Sequence, residues 1–304
     1  MADADHEFGS VSTDLKINMV GDYLRAFTTA LRTHFSSLLY IDAFAGTGER
    51  TVRRAAEPGG IWNDATPERI ERLKGSARIA LDTDPTFTEL HFIDSNPKHC
   101  AALEALVAAD GAANSSRIAK VWLGDANDEL KRILEAKSWS GCRGVLFLDP
   151  YGMNVPWSTL ENVRATEALD VWYLVSLAGL YRQAPRNARD LTGDKRAAIT
   201  RMLGTDEWER EWYSRRPEAN LFDDLDETYS RTADVKMIEA YTTKRLRALF
   251  PAVLEPLTLR NDRGLPMSSL YFMVSNPNPK AIAPARRIAD HILKAGRSSQ
   301  TRPR

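Results

Sequence analysis

The sequence predicts an α/β fold: a doubly wound, mostly parallel sheet of seven strands, the last antiparallel, carrying a helical insertion. Short β-like runs alternate with stretches of helical periodicity, the arrangement in which crossover helices cover a parallel sheet and ligands meet the carboxyl ends of its strands. Near the C-terminus two further runs flank Asn261-Asp262-Arg263-Gly264-Leu265-Pro266, which has the turn chemistry of a hairpin and makes the final strand antiparallel. The alternation is interrupted twice, by a long loop at 50–75 and by residues 180–234, which read as helical.

The elements follow in order. Leu15, Ile17, Val20, Tyr23, Leu24, Phe27, Leu31 and Phe35 recur mostly at three- and four-residue steps, the mark of an amphipathic helix. Strands are expected at 38–44, 89–93, 120–123, 144–148 and 170–176, then at 253–259 and 269–275. Helices are expected at 97–108, 128–136 and 157–167, the last starting just after Pro156. Residues 50–75, with Pro58-Gly59-Gly60 and several charges, read as a long loop with a short helix from Pro67. In the insertion Arg182, Arg186, Arg189, Lys195, Arg196 and Arg201 precede Asp206, Glu207, Glu209, Glu211, Asp223, Asp224 and Asp226. Such blocks are either two solvated faces or a lid or substrate-facing subdomain whose basic patch meets phosphate or an acidic partner.

Composition narrows the function classes. Of 304 residues, 43% are hydrophobic and 27% charged, which excludes collagenous, disulfide-stapled and mostly disordered chains. The 41 Lys+Arg are cancelled by 41 Asp+Glu, so a whole-surface electrostatic grip on nucleic acid is disfavoured and only a local patch is left for it. Cys100 and Cys142 stand alone, with no C-x-x-C pair and no histidine spaced to complete a metal site. The start of the chain is acidic, and the longest mostly apolar run, residues 171–180, is about half the roughly 20 residues a membrane helix needs. A cytoplasmic protein without membrane association is expected.

The most informative segment is Leu38-Leu39-Tyr40-Ile41-Asp42-Ala43-Phe44-Ala45-Gly46-Thr47-Gly48: a buried strand, an acid, then a turn with two glycines. It lacks the first and third glycines of the dinucleotide fingerprint, which disfavours a nicotinamide cofactor. The other reading is a tight strand-to-helix turn. The second strand ends Phe92-Ile93-Asp94-Ser95-Asn96, and a carboxylate at such a place can accept both hydroxyls of an adenosine ribose. Alternatively, Asp94 caps the helix from Pro97. The third strand ends Leu123-Gly124-Asp125-Ala126, and the fourth ends Leu148-Asp149-Pro150-Tyr151-Gly152. No Ser-His-Asp arrangement is visible among His6, His34, His91, His99 and His291, and His91, inside a strand, reads as packed. Trp208, Trp212 and Tyr213 read as core or lid packing before base stacking.

The D-x-F-x-G-x-G spacing from Asp42 resembles motif I of class I S-adenosylmethionine-dependent methyltransferases, in the form found in many enzymes that methylate DNA or RNA bases. That resemblance implies a Rossmann-like methyltransferase fold with S-adenosyl-L-methionine held by Asp42, Ala43, Phe44, Gly46, Gly48, Asp94, Ser95, Asp125 and Ala126, the last two at the adenine edge. Asp149-Pro150-Tyr151 resembles motif IV of the base amino-methyltransferases, in which the polar residue and a carbonyl take hydrogen bonds from the target amine and the ring stacks on a flipped base. Here the second proline is missing and Tyr151 comes one position early. The other reading makes Asp149 a helix cap and Tyr151 a packing residue.

Together with His6-Glu7-Phe8-Gly9, Thr13-Asp14-Leu15-Lys16 and Met267-Ser268-Ser269-Leu270-Tyr271-Phe272, these motifs resemble the bacterial three-Cys-motif partner (TcmP) family over most of the chain. The resemblance implies a methyltransferase-like protein with Asp149, Pro150 and Tyr151 as catalytic candidates, acting on nucleic acid or on a substrate bound by a three-Cys-motif partner. A non-catalytic nucleotide-binding partner module is the alternative. Arg182, Arg186 and Arg189 are the candidate substrate-binding patch. The expected division is 1–36 N-terminal helical segment, 37–179 cofactor-binding core, 180–234 helical insertion, 235–296 remainder of the core and 297–304 disordered tail.

Overall fold

Mixed α/β architecture with a mostly parallel sheet is what the chain adopts, in agreement with the expected class. The computed structural model describes residues 11–54, 69–112, 114, 116–217 and 227–301. His6-Glu7-Phe8-Gly9, Pro67 and the acids Asp223, Asp224 and Asp226 lie outside them. Two compact units divide the chain, Met1–Ala126 and Asn127–Arg304.

In the first unit the N-terminal periodicity becomes α1 (Val11–Leu31). Its stripe of Ile17, Val20, Tyr23, Leu24 and Phe27 is buried. The Phe27 ring lies 6.1 Å from Phe87, and Phe87 lies 5.7 Å from Tyr40 on β1 (Ser37–Asp42). After β2 (Glu49–Arg54), β3 (Arg69–Lys74) and α2 (Ser76–Leu81) come β4 (Glu89–Asp94), α3 (Pro97–Gly111) and β5 (Ile118–Leu123). β4 pairs in parallel with β1 on one side and β5 on the other. β1 and β4 are buried along nearly their whole length, as parallel strands covered on both faces are. β5, by contrast, leaves Ile118 and Leu123 exposed.

The second unit carries α4 (Ala126–Ala136, whose first residue ends the first unit), β6 (Cys142–Leu148), α5 (Trp157–Ala165), β7 (Leu169–Val175), α6 (Leu177–Gln183), α7 (Gly193–Leu203), α8 (Glu207–Trp212), β8 (Tyr213–Pro217) and β9 (Glu227–Arg231). It closes with α9 (Val235–Leu249), β10 (Ala252–Val253), β11 (Leu257–Arg260), β12 (Pro266–Val274) and α10 (Pro279–Thr301). β6 and β7 pair in parallel, and β12 runs antiparallel to β7. The hairpin from β11 to β12 turns through Gly264, whose φ of +73° suits glycine. Trp172 on β7 meets Phe272 on β12 at 5.1 Å.

Four expectations change. The long loop at 50–75 contains the antiparallel ribbon β2–β3, paired from Glu49↔Lys74 to Arg54↔Arg69. Its charge-rich sequence lacks the apolar alternation by which half-buried strands are recognised, and residues 69–74 extend as strand instead of helix. The single strand expected at 253–259 is split into β10 and β11 around Pro256, which has no N–H for a ladder. The insertion is not all helical, since it ends in the β8–β9 ribbon. The terminal residues 297–301, expected to fray, continue α10, and Arg297 fastens it by donating to the Glu255 carbonyl at 2.7 Å.

Candidate functional site

A buried parallel strand delivers its last residues to the carboxyl edge, where the following turn can face a ligand. β1 delivers Asp42, which is fully buried. Its Oδ1 accepts from Phe44 N at 3.3 Å and its Oδ2 from the Tyr40 hydroxyl at 3.3 Å, so the acid braces the turn from within. Ala43 is buried, Phe44 half-buried, and Ala45 N donates to the Ile93 carbonyl at 3.0 Å. Gly46 and Gly48 have φ of +61° and +75°, a region glycine enters without strain. Their surroundings differ. A Cβ on Gly48 would stand 2.7 Å from Leu106 Cδ2, whereas a Cβ on Gly46 would meet nothing within 4 Å. Gly46 therefore offers bare backbone to open space, the kind of cradle a ligand backbone or sugar can approach.

Asp94, the last residue of β4, fastens this turn to its neighbours. Its Oδ2 accepts from Gly46 N at 3.0 Å and its Oδ1 from Asn96 N at 2.8 Å. His99 Nδ1 lies 3.1 Å from the same Oδ1. The Asp94 carbonyl takes Gly124 N at 3.1 Å, linking the end of β4 to the turn after β5. Asp94 does not cap α3: that role falls to Asn96, whose side chain accepts from Lys98 N at 2.9 Å. Ser95 and Asp125 are exposed, and Ala126 is the first residue of α4. Cys100 packs underneath, 3.4 Å from the Asp94 carbonyl; burial, then the Asp94 and Glu104 charges, push its thiol pKa up. Glu89 and Trp122 satisfy His91 at 2.8 and 2.9 Å, the packed histidine the sequence suggests.

No family model and no curated protein matches the chain. Among solved structures it is similar to a Legionella pneumophila protein of the family model DUF519, with 13% identity, 94% of this chain and 93% of that chain covered, and a TM-score of 0.49. It is also similar to spermidine synthase from Thermotoga maritima, with 8% identity, coverage of 94% and 71%, and a TM-score of 0.39. A spermidine synthase in complex with the transition-state analogue AdoDATO gives 8% identity, coverage of 94% and 70%, and a TM-score of 0.38. At these identities and TM-scores, none of the three assigns a chemistry.

In the second unit β6 ends at Leu148 and presents Asp149 half-buried, Pro150 buried and Tyr151 66% exposed. Gly152 turns the chain at φ +67°. The segment that follows is held from α4: Asn127 Nδ2 donates to the Asn154 carbonyl at 2.9 Å, and Thr159 Oγ1 donates to Asn127 Oδ1 at 2.9 Å. α5 has Pro156 at its N-cap, without a side-chain cap bond, so Asp149 is not its cap. At the end of the parallel neighbour β7, Ser176 Oγ accepts from Gly179 N at 3.1 Å and starts α6.

Arg182 is placed on α6, Arg186 in the turn after it and Arg189 in the short 3-10 helix Ala188–Asp190, and all three are exposed. Trp208, Trp212 and Tyr213 are buried, which settles them as packing. His99 and Asn127 are the residues sequence reasoning passed over. His99 stands five positions after Asp94 on the first turn of α3, a spacing that could have flagged it. Asn127 bonds a segment 27 residues away, which no local pattern reveals. Among the described residues, no group of three or more His, Cys, Asp or Glu is placed to hold a metal ion, and no helix is long and apolar enough to cross a membrane.

Proposed function

We propose that the chain is an S-adenosylmethionine-dependent methyltransferase of the three-Cys-motif partner type, with nucleic acid or a partner-held molecule as acceptor. The observation that carries this reading is the bare backbone of Gly46 beside open space, held in place by Asp94 at the edge where parallel strands receive ligands. The residues present fit the cofactor. Gly46 and its turn would lie along it, Asp94 would take a ribose hydroxyl, and Asp125 with Ala126 would meet the adenine. Three of the roughly four lone-pair sites of the Asp94 carboxylate are already engaged, which favours one ribose contact over the bidentate pair. When bound, the sulfonium supplies an already activated methyl group.

Asp149 and Tyr151 then serve the acceptor, the acid taking a proton or hydrogen bond as charge develops and the exposed ring offering a flat surface to a planar group. Pro150 fixes the direction in which the chain leaves the strand. Calorimetry with S-adenosylmethionine and with NAD tests the cofactor, and labelled-methyl transfer to fractionated RNA, DNA and protein tests turnover. Failure to bind S-adenosylmethionine, or a preference for NAD, ends the reading. Binding without transfer to any fraction leaves the partner-module alternative in its place.

A further inference from the structure

The β8–β9 ribbon alternates tyrosine and arginine on one face. Tyr213 pairs with Arg231 and Arg215 with Tyr229, and because side chains alternate along a strand these four share a side. Tyr213 is buried and anchored, its hydroxyl donating to the Pro185 carbonyl at 2.7 Å. Tyr229 stacks on it at 6.1 Å with planes 18° apart, yet keeps 38% of its surface exposed. Arg231 lies 3.5 Å over the ring of Tyr181, which is 40% exposed. The turn after α6 runs beside β9, Arg231 N donating to the Arg186 carbonyl at 2.7 Å.

Among the described residues, three cations of this strip have no carboxylate partner. Arg196, nearby in sequence, is gripped by both oxygens of Glu209 at 2.6 and 2.9 Å. Arg182 donates only to the Ala178 carbonyl, Arg231 only to the Ala233 carbonyl with its Nε left without a partner, and no carboxylate among the described residues pairs with Arg182, Arg186 or Arg231. Guanidinium groups with no carboxylate partner among the described residues, interleaved with half-exposed rings, are the surface that unpaired bases and their phosphates recognise: stacking tolerates every base, and the cations follow the backbone. An acidic peptide would use the charges but leave the rings idle.

We propose that Tyr181, Arg231 and Tyr229, flanked by Arg182, Arg186 and Arg215, form a docking strip for single-stranded nucleic acid. This deepens the acceptor class of the proposed function, and it is tested without cofactor, so that either can fail while the other stands. Fluorescence anisotropy of the full chain with labelled oligouridylate and oligothymidylate, across a salt series, is the measurement. Tyr181→Ala and Tyr229→Ala should each weaken binding about tenfold, and Tyr229→Phe should keep it within about twofold, since the ring is retained. Arg182→Ala with Arg186→Ala should flatten the salt slope by about 0.7 for each phosphate no longer neutralised. Arg182 is exposed, so its variant keeps the test usable should a tyrosine variant unfold. Binding of either sugar supports the strip, and a preference between them identifies its source. Equal affinity for a duplex, displacement by inorganic polyphosphate with no effect of the tyrosine variants, or no binding at low salt overturns it.

Discussion

Two strand ends, one in each unit, are built in opposite ways. At the end of β4 the acid is turned inward: Asp94 takes hydrogen bonds from the glycine turn and from the N–H of Asn96, two residues on, and its side chain is only 9% exposed. At the end of β6 the chain turns outward, with Pro150 buried and Tyr151 66% exposed, and Asn127 fastens the segment further along. The first end shapes a surface, and the second offers a group. The same substitution, acid to alanine, should therefore have different consequences at the two ends.

The largest effect is expected at Asp94. Asp94→Ala strands Gly46 N and Asn96 N and should cost about 3–6 kcal/mol of stability, since hydrogen bonds to a charged acceptor are worth about 1.5–3 kcal/mol each. Urea unfolding measures it. A loss of cofactor binding in this variant would confound fold with ligand recognition, so Gly46 is the better probe. A loss under about 1 kcal/mol would mean that Asp94 is poised for ligand more than for the turn.

At the other end, Asp149→Ala should lower methyl transfer by about 100-fold, within the usual range for a positioned acid or base, while cofactor affinity stays within a few-fold. Tyr151→Ala should weaken acceptor binding, by about 1–3 kcal/mol if the ring stacks on a planar group, and Tyr151→Phe should be nearly silent. Full transfer activity in Asp149→Ala would remove the contrast between the two ends.

Gly46→Ala gives a smaller effect on stability. The left-handed backbone costs a residue with a Cβ about 1–2 kcal/mol, and the new methyl meets no protein atom within 4 Å. Affinity for S-adenosylmethionine should nevertheless fall at least about tenfold, about 1.4 kcal/mol, because the methyl enters the space assigned to the ligand. Unchanged calorimetric affinity would place the cofactor elsewhere.

Much of this was legible in the sequence, for reasons that differ from residue to residue. The strands that lead into Asp42, Asp94 and Asp149 announce themselves because buried parallel strands are largely apolar runs, and Gly46 because a positive φ selects glycine. The hairpin at Gly264 was readable in the same way. The inward turn of Asp94 was not, since which lone pairs a carboxylate spends depends on backbone N–H groups 48 residues away. The ribbons β2–β3 and β8–β9 escaped because their sequences carry charge where half-buried strands carry alternation. His99 and Asn127 escaped because they act through single contacts with no periodic trace.

Inside the insertion Arg196 is paired with Glu209, whereas Arg231 has no carboxylate partner among the described residues, and the contrast predicts a small pH effect confined to the pair. The Arg196 hydrogen bonds hold the Glu209 carboxyl below its usual range, against the opposing pull of burial. A carboxyl with a depressed folded value stabilises the fold above its unfolded pKa, and that contribution is lost as pH falls through the folded value. The window therefore opens near the ordinary glutamate pKa of about 4.3 and extends to more acid pH. With side chains 43% and 28% exposed, solvent screening limits the pair to about 0.2–1 kcal/mol. Urea midpoints of the parent and of Glu209→Gln, taken near neutral pH and again well below the window, should differ at neutral pH and converge in acid. Parallel pH profiles for the two proteins would show that the Arg196–Glu209 pair contributes nothing to stability.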